Sequence, residues 1–148
     1  MTCKHACVRL QVGDGYELDD DPNRIDVEGL VAFLTTEAYW GRWRTRDDIE
    51  RQLAASWRLV AVYQGDAMVG FARAVSDGVA LAYLADVYVD PAHRGRGLGA
   101  AVVREIVEGR GASSFRWMLH TKDAHGLYTG LGFTAPGPDM MERHAGRR

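Results

Sequence analysis

One stretch concentrates residue types with a shared chemical use: Val87-Tyr88-Val89-Asp90-Pro91-Ala92-His93-Arg94-Gly95-Arg96-Gly97-Leu98-Gly99-Ala100. A β-type run stops at Asp90-Pro91, and a glycine-rich turn then opens an apolar helical pattern. Gly95, Gly97 and Gly99 let the backbone pass close to a ligand and take positive φ where needed. The first turn of a helix has N–H groups without intrahelical partners, and its dipole favours an anion. Arg94 and Arg96 add charge-assisted donors. Together these make a cradle for a phosphate or diphosphate. The cluster lacks the Gly-Lys-Ser/Thr ending of a nucleotide P-loop. Its Gly-x-Gly-x-Gly spacing also departs from the Gly-x-Gly-x-x-Gly dinucleotide fingerprint. A surface turn flanked by arginines is the plainer alternative.

Other residues could do chemistry beside it. Tyr128 is a phenol that stays protonated at neutral pH, with a reference pKa near ~10, and can donate to a leaving group. It could equally pack a short helix onto a sheet with Leu127 and Phe133. Asp86 lies just ahead of the glycine cluster and is a candidate proton acceptor; pairing with an arginine or capping a bulge is its alternative role. His120 and His125 are weaker candidates. Tyr39, Trp40 and Trp43 stand among Arg42, Arg44 and Arg46. Aromatics there could hold a cationic amine, and an arginine a carboxylate. The alternative is tryptophans over the core with arginine stems reaching outward. Cys3, His5 and Cys7 are three ligand types, but a closed zinc site needs four. Reduced thiols at a frayed terminus, and no metal, are expected.

The elements that must position these residues follow from periodicity. Val8–Val12 and Tyr16–Asp20 read as short extended pieces, closed by the acidic Asp19-Asp20-Asp21-Pro22 as a solvated turn. Asp26 is an N-cap for a helix running to about Tyr39. Thr45 and Asp48 resemble a capping box for a second helix, about Arg46–Ser56. Trp57–Tyr63, Ala67–Val75 and Val79–Val89 form a three-stranded antiparallel meander, with Gln64-Gly65-Asp66 and Ser76-Asp77-Gly78 as turns. A helix from Leu98 to near Gly109 follows. Ser114–His120 reads as a strand, Asp123–Gly130 as a short helix, and Phe133 begins a last extended stretch. This order predicts an α+β (mixed α/β) fold: a mixed, mostly antiparallel sheet of six to seven strands with helices on both faces.

Composition narrows the class. The 148 residues are 47% hydrophobic and 26% charged, ordinary for one globular domain. Residues 1–148 are expected to form that single domain, with 1–7 frayed and 144–148 a polar tail. A net charge of -2 argues against a dedicated nucleic-acid binder. No apolar run approaches the ~20 residues of a membrane span, and Met1–Leu10 has no signal-peptide core. A cytoplasmic protein without nucleic-acid or membrane partners is expected; an exposed strand edge makes a homodimer plausible.

The glycine cluster resembles the signature of the GNAT superfamily of N-acetyltransferases, Gln/Arg-x-x-Gly-x-Gly/Ala, which Arg94-Gly95-Arg96-Gly97-Leu98-Gly99 matches throughout. Ala124-His125-Gly126-Leu127-Tyr128-Thr129-Gly130-Leu131-Gly132-Phe133 is similar to a second motif, Ala-x-x-x-Tyr-x-x-x-Gly-Phe. The likeness extends over about Tyr16 to Phe133 and is closest to small bacterial single-domain members. It implies acetyl-CoA as co-substrate, no metal, and direct transfer to a primary amine on a small molecule or peptide. By that resemblance Val87, Tyr88 and Val89 hold the pantetheine through their backbone, and Arg94, Gly95, Arg96, Gly97, Leu98, Gly99 and Ala100 hold the pyrophosphate. A main-chain N–H of Val87–Val89 would polarise the thioester carbonyl. The cofactor would lie where Val79–Val89 and Ser114–His120 splay apart. Tyr128 would be the general acid and Asp86 the base, while Tyr39, Trp40 and Trp43 would wall the acceptor pocket. Two positions depart from the family pattern. Thr121, assigned to cofactor binding, stands where the family often has Asn, and Tyr83 where some members carry a glutamate base. The alternative class is a CoA-binding sensor or partner-binding module without catalysis.

Overall fold

Capping chemistry fixes where the first two helices begin. The Asp26 carboxylate accepts the Gly29 N–H at 3.0 Å and opens α1, Val27–Thr36. Thr45 and Asp48 cap reciprocally, Thr45 N–H to Asp48 Oδ2 at 2.9 Å and Asp48 N–H to Thr45 Oγ1 at 3.2 Å, and open α2, Arg46–Ala55. The first helix ends earlier than its apolar spacing predicts. The Glu37 and Ala38 N–H groups both turn to the Phe33 carbonyl, which closes the ladder before Tyr39.

The computed structural model describes residues 6–146, so Cys3 and His5 of the N-terminal ligand trio lie outside the described residues. Among the described residues six strands form one sheet in sequence order: β1 (Arg9–Val12), β2 (Tyr16–Asp19), β3 (Arg58–Gln64), β4 (Ala67–Ser76), β5 (Leu81–Val89) and β6 (Arg116–Met118). The first five pair antiparallel. The α3 helix, Leu98–Glu108, lies in the crossover that brings β6 parallel to β5. The short α4, His125–Thr129, follows β6. One sheet face packs Val60, Val62, Ala72 and Leu84 against Val102, Val103 and Ile106 of α3 and Tyr128 of α4. The other packs Ala61, Tyr63 and Phe71 against Leu30 and Leu34 of α1 and Ile49 and Leu53 of α2. The expected mixed sheet with helices on both faces is therefore observed.

Three local expectations are corrected. The predicted strand Ser114–His120 shortens to β6, its start displaced because 109–114 turn as a 3-10 segment, with Arg110 and Gly111 at φ 56° and 77°. The extended stretch from Phe133 forms no strand among the described residues; the Phe133 N–H instead donates to the Tyr128 carbonyl at 3.0 Å. The acidic turn Asp19–Pro22 is not solvated at its first two residues, since Asp19 and Asp20 are buried. Asp19 pairs with Arg9 and with Arg24. Asp20 accepts the Val8 N–H at 2.6 Å, Arg58 Nε at 3.1 Å and Arg110 Nε at 2.8 Å, and Arg58 continues to Glu105 on α3 at 2.6 Å.

Burial pushes the Asp20 carboxyl up, but its hydrogen bonds to Arg110, Val8 and Arg58 outweigh that and hold it below the usual carboxylate range. A depressed folded-state value means its contribution is fully present above the unfolded pKa, near about 3.9, and is lost as pH falls through the folded value. Asp20→Asn should lower the urea midpoint at neutral pH and make it fall less steeply than wild type below about pH 4. Urea titrations at stepped pH check this.

Candidate active site

The site is built on a fault in β5. Ala85 pairs with Arg73 and Tyr88 with Phe71, so Asp86 and Val87 together oppose the single residue Ala72. Asp86 takes φ 54°, a left-handed conformation uncommon outside glycine. The extra residue reverses the alternation along the strand. Leu84 faces the α3 side ahead of the bulge, whereas Val87 and Val89 face it afterwards. Tyr88 turns to α1, its ring stacked on Phe33 with centroids 3.9 Å apart.

Asp86 itself is clamped. Arg44 reaches it with two nitrogens, Nη1 to Oδ2 at 2.8 Å and Nη2 to Oδ1 at 2.9 Å. Arg73 Nε donates to Oδ2 at 2.7 Å and Trp40 Nε1 to Oδ1 at 2.9 Å. Burial pushes this carboxyl up, but Arg44 and Arg73 hold it below its ordinary value. This geometry corrects the general-base expectation: an anion with four donors and a lowered pKa is a poor proton acceptor.

Ahead of the bulge, β5 loses its other neighbour. Pairing with β6 covers only Leu81, Ala82 and Tyr83, opposite Arg116, Trp117 and Met118. From Leu84 to Val89 that edge of β5 has no strand partner among the described residues. The strand then leads through the turn Pro91–His93 into the glycine cluster. Gly97 is the N-cap of α3 at φ 76°, with no side-chain cap, and Gly95 has φ 75°. A Cβ on either would meet no atom within 4 Å, so open space lies against this backbone. Arg94 and Arg96 are exposed beside it, and Arg94 Nε donates to the Val89 carbonyl at 2.9 Å. The Tyr16 hydroxyl and His93 Nδ1, 2.9 Å apart, tie the turn to β2. An uncapped helix start, two guanidinium groups and unobstructed glycines fit a diphosphate.

The α4 helix closes the far side. Leu127 and Val89 both come within 4 Å of a Cβ built on Gly99, at 3.9 and 3.8 Å, so α4, β5 and the start of α3 converge there. Tyr128 is buried, with its ring edge-on to Phe133 at 5.8 Å. Among the described residues its hydroxyl has no hydrogen-bond partner. Burial, helped by Tyr39 and Asp123, pushes the phenol up to about 12. It therefore keeps its proton at neutral pH. The Thr121 hydroxyl accepts the Ala124 N–H at 3.1 Å, in the turn that leads into α4.

Residues 55–135, more than half of the chain, match the model of the acetyltransferase (GNAT) domain. The chain belongs to the GNAT acetyltransferase family. A structure from Xanthomonas campestris pv. campestris described as belonging to that family is 31% identical, with TM-score 0.83 over 88% of this chain and 93% of the other. Glucosamine-6-phosphate N-acetyltransferase from Arabidopsis thaliana shares the fold alone, at 13% identity and TM-score 0.60 over 88% of this chain and 99% of that one. Serotonin N-acetyltransferase 2, chloroplastic, from Oryza sativa subsp. japonica is 42% identical over 76 residues, 49% of this chain. The chain spans 37% of the length of that curated relative.

In this GNAT chain the α1–α2 loop divides its aromatics. Tyr39, Trp40 and Trp43 are all exposed, Trp43 the most at 53%, but Trp40 is fixed to Asp86 through its indole N–H. The Lys122 ammonium stands 4.6 Å above the Tyr39 ring. Arg44, read as an arginine reaching outward, is buried and also donates to Gln52 on α2 at 2.7 Å. Gly41 lets the loop pass, since a Cβ there would stand 2.3 Å from the Leu34 carbonyl oxygen. His125 and His120 do not meet: His125 begins α4, and His120 joins Tyr83. Sequence reasoning missed Arg73, whose signal was a lone charge in the apolar run Ala67–Val75. No helix among the described residues is long and apolar enough to cross a membrane.

Removing the clamp's anion leaves two buried guanidinium groups uncompensated. Asp86→Ala should cost about 3–5 kcal/mol of unfolding free energy. Asp86→Asn, which keeps an acceptor oxygen, should cost less; urea denaturation with both variants checks the order.

Proposed function

We propose that this protein transfers an acetyl group from acetyl-CoA to a primary amine in the opening between β5 and β6. The observation that carries the reading is this unpaired stretch of β5, with the uncapped α3 N-terminus at one end and the Tyr128 phenol close by. Bound there, acetyl-CoA supplies an activated acyl group. The α3 start with Gly95, Gly97 and Gly99 receives the diphosphate, helped by Arg94 and Arg96. The backbone of Val87, Tyr88 and Val89 lines the pantetheine, and a main-chain N–H there faces the carbonyl oxygen. Leu98 anchors the helix in the core while Ala100 completes its first turn. The Thr121 hydroxyl accepts the Ala124 N–H and keeps its own hydrogen to donate to the cofactor.

Tyr128 holds a proton at Oη and gives it to the sulfur as the amine nitrogen–carbon bond forms and the carbon–sulfur bond breaks. Tyr39, Trp40 and Trp43 wall the acceptor side. A cation already sits over the Tyr39 ring, as a substrate ammonium would. The name of the Oryza relative makes aromatic primary amines the first acceptors to try. The decisive experiment is an amine panel with acetyl-CoA, following thiol release; no release with any amine overturns the reading.

Two variants test its parts. Gly97→Val should weaken acetyl-CoA binding by about tenfold or more, the scale of one charge-assisted hydrogen bond, as read by isothermal titration. Unchanged affinity in a folded variant removes the diphosphate cradle. Tyr128→Phe keeps the ring and removes one oxygen. Its kcat should fall by roughly 10²–10⁴-fold with acetyl-CoA affinity unchanged, or less where the thiolate leaves unassisted. Full kcat where chemistry limits the rate would exclude Tyr128 as the acid.

A further inference from the structure

With Asp86 locked between two arginines, the proton of an incoming ammonium needs another acceptor. An alkylammonium with pKa near ~10.4 is only a few parts in ten thousand neutral at pH 7. At the vertex of the opening, three side chains form a line. Tyr83, the last β5 residue paired with β6, has its hydroxyl 2.6 Å from His120 Nδ1. The other ring nitrogen, Nε2, bonds the Glu142 carboxylate, which also meets His144 Nδ1 at 3.1 Å. Tyr83 lies on the sheet face opposite to that of Ala82 and Leu84, the face of the Asp86 clamp, within electrostatic reach of Arg73 and Asp86. We propose that Tyr83, backed by His120 and Glu142, accepts the proton from the substrate ammonium.

The direction of each hydrogen bond follows from what each group can do. An ionised carboxylate only accepts, so His120 Nε2 carries the hydrogen. In a neutral imidazole Nδ1 is then the acceptor, and the Tyr83 hydroxyl donates to it. The Tyr83 oxygen keeps lone pairs for an ammonium N–H. As that proton passes to Tyr83 Oη, the phenol's own proton passes to His120 Nδ1. The ammonium loses one proton, the imidazole gains one, and no other bond changes. Glu142 stabilises the imidazolium, and His120, with its side chain 57% exposed, returns the proton to solvent. Tyr83 is the catalytic residue here; His120 acts through it, and Glu142 positions the ring.

This inference rests on acetyl transfer to an amine, and its test separates the two. Thiol release from acetyl-CoA is followed across pH with 2-phenylethylamine and with its less basic β,β-difluoro analogue. Wild type is compared with Tyr83→Phe, His120→Gln and Glu142→Gln, and acetyl-CoA affinity serves as the fold control. The charged groups facing the relay are Arg73 and Asp86 at Tyr83 and His144 at Glu142; Lys122, two residues beyond His120, faces Tyr39. Expected is a loss of about 10²-fold in kcat/KM for Tyr83→Phe and His120→Gln, with a smaller loss for Glu142→Gln. The acidic limb should move toward the pKa of the amine, and the defect should shrink on the difluoro amine. Variants that keep the wild-type rate and pH profile, or lose equally on both amines, overturn the relay while leaving acetyl transfer intact. If Tyr83→Phe loses acetyl-CoA binding, Glu142→Gln and the amine comparison decide. Wild type inert toward both amines and the wider panel overturns acetyl transfer itself, and the relay with it.

Discussion

A carboxylate at positive φ, held by two buried arginines and a tryptophan, sits at the point where the sheet changes character. Asp86 is strained at φ 54°, and such backbone persists only where its surroundings over-determine it. Here they do so through Arg44, Arg73 and Trp40. The bulge turns Val87 and Val89 toward α3 and Tyr88 toward α1. The same ion cluster fixes the α1–α2 loop, because Arg44 and Trp40 both belong to it. One interaction thus sets the strand edge and the aromatic loop beside it together.

A second ionic knot lies on the other face of the sheet, against α3. Asp20 draws in Arg58 from β3 and Arg110 from the turn after α3, and Arg58 extends to Glu105. The α3 helix is therefore held to the sheet by charge at its C-terminal end and by Leu98 at its start. Its first-turn N–H groups remain directed at open space. Buried pairs of this kind add little net stability over apolar packing, but removing one partner is costly.

Two neighbouring strands also divide the chemistry. The β5–β6 pairing stops after three residues, and in the proposed reaction the opening it leaves would separate an acetyl-CoA side, along Val87 to Gly99, from an acceptor side, around Tyr39, Trp40 and Tyr83. Tyr128 on α4 stands close to both: Leu127 beside it packs with Val89 near Gly99, and Tyr39 adds to the burial that pushes its phenol up.

Local signals were legible where the chemistry is local. The Asp26 cap, the Thr45–Asp48 box, the meander turns and the Arg94–Gly99 cluster depend on residues within a few positions of one another, so sequence spacing alone determined them. The division into two apolar faces was also readable, because helical and strand periods differ. Long-range pairing was not. In the chain Asp86 reads either as a base or as some arginine's partner, and only folding brings Arg44, 42 positions away, and Arg73 onto it. Asp19 and Asp20 read as a solvated turn until arginines from distant segments bury them. The meeting of Tyr83, His120 and Glu142 likewise depends on β6 lying parallel to β5 and on the chain returning after α4. Charge in a sequence has no partner until tertiary contacts supply one, and that pairing decides whether a carboxylate is a base, a clamp or a turn.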